Sequence, residues 1–132
     1  MAANSESEIF AMATFRYLVN DVEKSIEFYT SHFGFVLEQK FGPAMAILAK
    51  DDLNLWLAGP LSSAAQPMPN GQKPIPGGWN RIVLQSENLD SLIANLRATG
   101  TAFKNDLTQG PGGRQILIED PSGNAIELFQ PN

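Results

Sequence analysis

Apolar positions along the chain recur with two alternating periods. TFRYLV (14–19) alternates in the manner of a half-buried strand. Asn20-Asp21 then supplies a helix N-cap, and VEKSIEFYTSHF places Val22, Ile26, Tyr29 and Phe33 on one helical face, with Gly34 positioned to end it. Three strand-like pieces follow: FVLEQKF, AMAILAK and LNLWLA. The same order returns further on. NRIVLQ reads as a strand, Asn88 as a cap, and LDSLIANLRATG as a helix with Leu89, Leu92, Ile93 and Leu96 inward and Gly100 at its end. TAFKND, RQILIED and AIELFQ are its three strands, and Asp120-Pro121-Ser122-Gly123 makes a tight hairpin turn between the last two.

Each half is therefore predicted as β-α-β-β-β, and the whole chain, residues 1–132, as one α+β domain. Module one covers about 10–58 and module two about 79–130. The intervening Gly59–Gly78 holds five of the nine prolines and four of the eleven glycines, a composition that no helix or central strand accommodates, so it is an exposed linker. One helix covers one face of each curled four-stranded mixed sheet, and the other faces together form a trough that offers a cavity.

Composition narrows the chemistry. With 132 residues, 43% hydrophobic and 17% charged, the chain is globular. A net charge of −5 and nine basic side chains against fourteen acids provide no basic stripe, so nucleic acid is not an expected partner. The absence of cysteine removes disulfides, thiolate metal sites and cysteine nucleophiles, and a single histidine cannot build a multi-histidine cage. No apolar run reaches membrane-span length, and MAANSESEIF lacks a basic region, so a cytoplasmic protein without membrane contact is expected. The SESE run reads as a solvated tail. QGPGGRQ (109–115) lacks the lysine and following helix of a phosphate loop, and is read as a strand connection that brings Arg114 to the trough mouth. His32, near a helix end, has a surface role, and Trp79 at the linker end is read as a packing anchor.

VNDVEKSIEFYTSHFGF near the start and DPSGNAIELFQP at the end resemble the vicinal oxygen chelate superfamily of glyoxalases, extradiol dioxygenases, fosfomycin-modifying enzymes and bleomycin-binding proteins. The resemblance runs from about Phe10 to Pro131 and implies paired βαβββ modules, a small-molecule ligand and a homodimer. It also implies four metal-ligand positions. Seven residues before each helix cap lie Thr14 and Arg81; the last strands supply Glu127 and, opposite it through Pro60 and Pro131, Trp56. Trp offers no lone pair, Arg is a permanent cation and Thr is a weak ligand, so Glu127 is the only side chain of the four suited to a metal. Arg81 and Glu127 are expected to pair with each other, and no metal cofactor is expected.

Strand alternation then assigns the trough lining. Arg16 and Leu18 join Thr14, Asn54 and Ala58 join Trp56, Val83 and Gln85 join Arg81, and Phe129 joins Glu127. Phe15, Tyr17, Val19, Ile82, Leu84, Ile126 and Leu128 go under the helices. The expected ligand contacts are Thr14, Arg16, Trp56, Arg81, Gln85 and Phe129, with Glu127 as the candidate base. Together they suit a flat or aromatic molecule carrying an anionic or carbonyl group. The alternatives are a divalent-metal-dependent lyase, isomerase or dioxygenase with a differently aligned or dimer-completed ligand set, and a module that recognises another protein.

Overall fold

The structure, a computed structural model, describes residues 13–132. The SESE run and the start of module one near Phe10 lie outside the described residues. Module one comprises β1 (Ala13–Leu18), α1 (Val22–Phe33), β2 (Val36–Phe41), β3 (Met45–Lys50) and β4 (Leu53–Ala58). Module two comprises β5 (Ile82–Gln85), α2 (Leu89–Ala98), β6 (Thr108–Gln109), β7 (Gly113–Glu119) and β8 (Ala125–Pro131). Each module forms a four-stranded sheet of the same order, β1-β4-β3-β2 and β5-β8-β7-β6. In both, the first strand runs parallel to the last and the remaining pairs are antiparallel. The molecule is thus α+β with two βαβββ modules.

The helices start and stop where the sequence places the signals. The Asp21 carboxylate accepts from Lys24 N at 3.1 Å, and the Asn88 side chain accepts from Ser91 N at 3.2 Å. Gly34 ends α1 with φ +71°, a left-handed conformation that glycine adopts without a Cβ penalty. Thr99 caps α2, and the left-handed Gly100 follows it.

Two strands are shorter than the sequence pattern implies. β5 has four residues, leaving Asn80 and Arg81 ahead of it. TAFKND does not form a regular strand; it contributes an isolated bridge from Phe103 to Ile118, and the fourth strand of the sheet is the two-residue β6. Lys104 still donates its N–H to Leu117 O at 2.9 Å, so the segment follows the edge of β7.

Alternation divides the two faces as expected. Tyr17, Ala46, Leu48, Leu55 and Leu57 of the first sheet and Ile82, Ile116, Ile118, Ile126 and Leu128 of the second form one buried cluster with Val22, Tyr29, Phe33, Leu89 and Leu96 of the helices. The core is continuous through both modules. Arg16, Val83 and Gln85, at the opposite parity, are exposed. Ala58 departs from its assignment to the open trough. It is 1% exposed, and with Leu18 it lines a small cavity of about 150 Å³ bounded by Lys73–Pro76 of the linker.

The modules are bolted together at the Asp120–Asn124 turn. The buried Tyr17 hydroxyl donates to Ala125 O at 2.6 Å and accepts from Ile82 N at 3.0 Å. Asn124 Nδ2 donates to Leu18 O, and Asn20 N donates to Ser122 Oγ. Asp120 is almost fully buried. It accepts from Tyr29 OH at 2.8 Å, from Ser122 N and Asn124 N, and from Asn124 Nδ2. A buried carboxylate is tolerable only when its lone pairs are filled in this way. Burial pushes the Tyr17 hydroxyl up to about 12 and raises Tyr29 further, with the Asp120 charge adding to both.

Candidate functional site

The second sheet presents the most organised polar cluster on its open face. β8 carries Glu127 outward between Ile126 and Leu128, which alternation buries, and β5 places Val83 beside it. Arg81, just before β5, points to the same face. Its Nε and Nη2 both donate to Glu127 Oε1, at 3.1 and 2.8 Å, and its Nη1 donates to Trp79 O at 3.2 Å. The Arg81 side chain is 30% exposed and that of Glu127 12%, so water reaches the guanidinium more than the acid. Pairing of these two residues is what the sequence predicts.

The first sheet carries a second cluster. Arg16 on β1 and Trp56 on β4 are register partners, and the Arg16 guanidinium carbon lies 4.9 Å from the centre of the Trp56 ring. One indole face is therefore already covered by a cation. Thr14 lies on the exposed end of the same strand, opposite Asn54. Among the described residues, no hydrogen bond or ion pair joins Arg16 or Trp56 to Arg81 or Glu127. Gln85 opposes Phe129 in register and, with Val83, lines a recess of about 440 Å³ with Ala13 and the β3–β4 turn. The Phe129 ring reaches toward Gly112 at the β6–β7 end.

Two expectations need correction. Arg114 does not reach the trough. It makes paired bonds to the Asp90 carboxylate in the first turn of α2, at 3.0 and 3.4 Å, and a third to Gln130, on the helix side of the sheet. Trp79 is not a packing anchor, because 68% of it is exposed. Its ring lies 4.8 Å from Lys104 Nζ, which itself bridges to Glu119 Oε1 at 3.4 Å. The sequence signal was present: 79, 81, 83 and 85 share one parity, so the alternation that selects Arg81 also selects Trp79. His32 is half-buried in the last turn of α1 against Phe28, at a ring distance of 5.0 Å, and stands apart from both clusters.

At Thr14, Trp56, Arg81 and Glu127, the four positions that the resemblance implies, the donors are a hydroxyl, an indole, a guanidinium and one carboxylate. They do not fit a divalent metal, which needs several oxygen or nitrogen lone pairs, and the lone carboxylate already holds a cation. Among the described residues, no group of three or more His, Asp or Glu side chains could hold a metal ion. No helix among them is long and apolar enough to cross a membrane.

Comparison with known proteins agrees with this architecture. Residues 11–128 match the family model of the Glyoxalase/Bleomycin resistance protein/Dioxygenase superfamily, and the chain belongs to that superfamily. A curated relative, lactoylglutathione lyase GLX1 of Arabidopsis thaliana, is 24% identical over 123 residues, covering 86% of this chain and 42% of that protein. The chain thus spans less than half the length of that relative. Among solved structures, TnmS3, an antibiotic binding protein from Streptomyces sp. CB03234, is 28% identical, with a TM-score of 0.68 and coverage of 100% of this chain and 99% of its own. Lactoylglutathione lyase from Agrobacterium tumefaciens superposes with a TM-score of 0.72 at 18% identity, covering 92% and 93% of the two chains, a likeness of fold.

Proposed function

We propose that this chain is a small-molecule-binding protein of the glyoxalase/bleomycin-resistance type, whose open sheet faces take an organic ligand without a catalytic metal. The observation that carries this reading is the Arg81–Glu127 pair. A guanidinium bound to the only carboxylate of the four superfamily positions competes directly with any metal for that acid. What remains is recognition chemistry. Arg81 offers N–H groups beyond those held by Glu127 and Trp79 O, and Arg16 stacked on Trp56 presents a charged, flat edge. Thr14, Gln85 and Phe129 complete the contact set. Both Arg81 bonds fall on Glu127 Oε1, which leaves Oε2 outside the pair as the one candidate proton acceptor.

TnmS3, similar along its whole length, is an antibiotic binding protein, which supports binding of an organic molecule here, and the aromatic and cationic side chains of the open faces suit one that is aromatic or carbonyl-bearing. The same reading includes a homodimer in the cytoplasm. Val36, Phe41 and Val83 stand on open sheet faces at 63%, 47% and 50% exposure, and a second copy would cover such apolar area. Calorimetric titration with a library of aromatic carboxylates and ketones tests the function. Saturable binding that weakens about tenfold in Trp56→Ala or Arg81→Met is expected, one hot-spot contact each. No uptake of any library member would overturn the reading.

A further inference from the structure

Trp79 is the least explained side chain of the open face. A large indole left 68% exposed forgoes the burial that usually keeps tryptophan inside. It is nonetheless held in place. Gly77 and Gly78 before it have φ of +111° and +89°, and the Gly77 N–H donates to Asn124 Oδ1 at 2.8 Å in the turn that joins the modules. The Trp79 carbonyl is held by Arg81 Nη1, and its ring lies against Lys104 Nζ. Lys104 faces the same side, because its neighbour Phe103 bridges to the buried Ile118 and packs on the core. The result is a ribbon across the second sheet in the order Glu127, Arg81, Trp79, Lys104, Glu119.

The charges of this ribbon cancel: two cations, each with its own acid. Both cations nevertheless keep N–H groups that their acids do not use, Lys104 against the indole ring and Arg81 at the Trp79 carbonyl. An anion gains little net attraction from a neutral cluster in a chain of net charge −5. A neutral oxygen acceptor gains the hydrogen bonds without the cost of stripping water from a charge.

We propose that Trp79, flanked by Arg81 and Lys104, is a specificity platform for a neutral, planar aromatic carbonyl compound, the ring stacking on the indole and the carbonyl oxygen accepting from the flanking N–H groups. This rests on the reading of the open face as a ligand site, and it selects ketone-like oxygen over carboxylate there.

The test uses three matched probes: 2-acetylnaphthalene, 2-ethylnaphthalene and 2-naphthoate. The chain has two tryptophans, so ¹⁵N-labelled protein gives two indole N–H signals, and Trp79→Phe assigns both. The Trp79 signal should move saturably with 2-acetylnaphthalene, and 2-ethylnaphthalene should bind about tenfold more weakly for want of one hydrogen bond. Trp79→Ala should weaken the ketone by about tenfold or more, Trp79→Phe much less, and Lys104→Met should erode the ketone preference. Because Trp79 is exposed, its variants keep a wild-type spectrum elsewhere. A moving Trp56 signal with Trp79 silent would overturn the platform and leave the open-face ligand site standing. Silence of both signals with every probe would overturn both. Binding of 2-naphthoate about tenfold tighter than the ketone would overturn the choice of a neutral ligand.

Discussion

Replacing Glu127 with alanine removes the acceptor of two charge-assisted hydrogen bonds from Arg81 and leaves a guanidinium, 30% exposed, with only the Trp79 carbonyl. The structure brackets the cost. A solvent-exposed pair is worth about 0–1 kcal/mol. Breaking a fully buried one costs about 3–5 kcal/mol. With the acid at 12% exposure and water reaching the arginine, Glu127→Ala should lose about 1–3 kcal/mol. For a domain of this size that lowers Tm by roughly 3–10 °C. Glu127→Gln keeps an acceptor at Oε1 and should lose less. In the double variant Arg81→Met/Glu127→Ala the unpaired charge is gone, so stability should recover above that expected from the two single variants, with a coupling of about 1–2 kcal/mol. Urea unfolding followed by circular dichroism, at matched m-values, measures wild type, Glu127→Ala, Glu127→Gln, Arg81→Met and the double variant. Glu127→Ala within about 0.5 kcal/mol of wild type, with no coupling in the cycle, would refute the pairing as the role of these residues.

Other outcomes follow from the junction and the sheet. Tyr17→Phe strands both Ile82 N and Ala125 O in the interior, so urea unfolding should show a loss of about 2–3 kcal/mol; a loss below about 0.5 kcal/mol would refute the bridge. Tyr17 has a folded pKa of about 12, above its unfolded value of 10.0, so its contribution is complete below pH 10 and is lost as pH rises through about 12. Tyr29 is raised in the same direction and these are the only two tyrosines, so tyrosinate absorbance should appear together with loss of ellipticity. Ordinary titration near pH 10 with the fold intact would contradict this. A Cβ on Gly113 would be driven onto Gln130 O and within 2.8 Å of Pro131 Cα, so Gly113→Ala should force β7 from β8 and lower Tm; an unchanged Tm would show that the strands yield.

Much of this architecture is legible in the sequence because it is local. Caps at Asp21 and Asn88, glycines at 34 and 100, and strict alternation in LNLWLA and AIELFQ specify elements and faces without long-range information. Alternation also separates the Arg81–Glu127 face from the core, since a one-residue slip would bury both charges. What the sequence hides is set by distant partners. The Tyr17–Ala125 bond spans 108 positions, and no periodicity announces it. Asp120 reads locally as a turn residue, although its carboxylate serves the other module through Tyr29. The glycine-rich setting of Arg114 reads as a strand connection at the trough mouth, whereas Asp90 on α2 draws the side chain to the opposite side. TAFKND alternates like a strand yet forms only a bridge, because Asn105 turns its side chain to Leu117 N instead of continuing the ladder.

The central claim, an organic-ligand site in which Arg81 stands against a metal, is tested most directly by elemental analysis of untagged protein purified without chelator and dialysed against metal-free buffer. The account predicts substoichiometric Mn, Fe, Co, Ni and Zn, and a melting temperature that none of these ions raises. About one such ion per chain, with a stabilisation that saturates in metal and disappears in Glu127→Ala, would contradict it, since Glu127 would then be a ligand in place of a partner for Arg81.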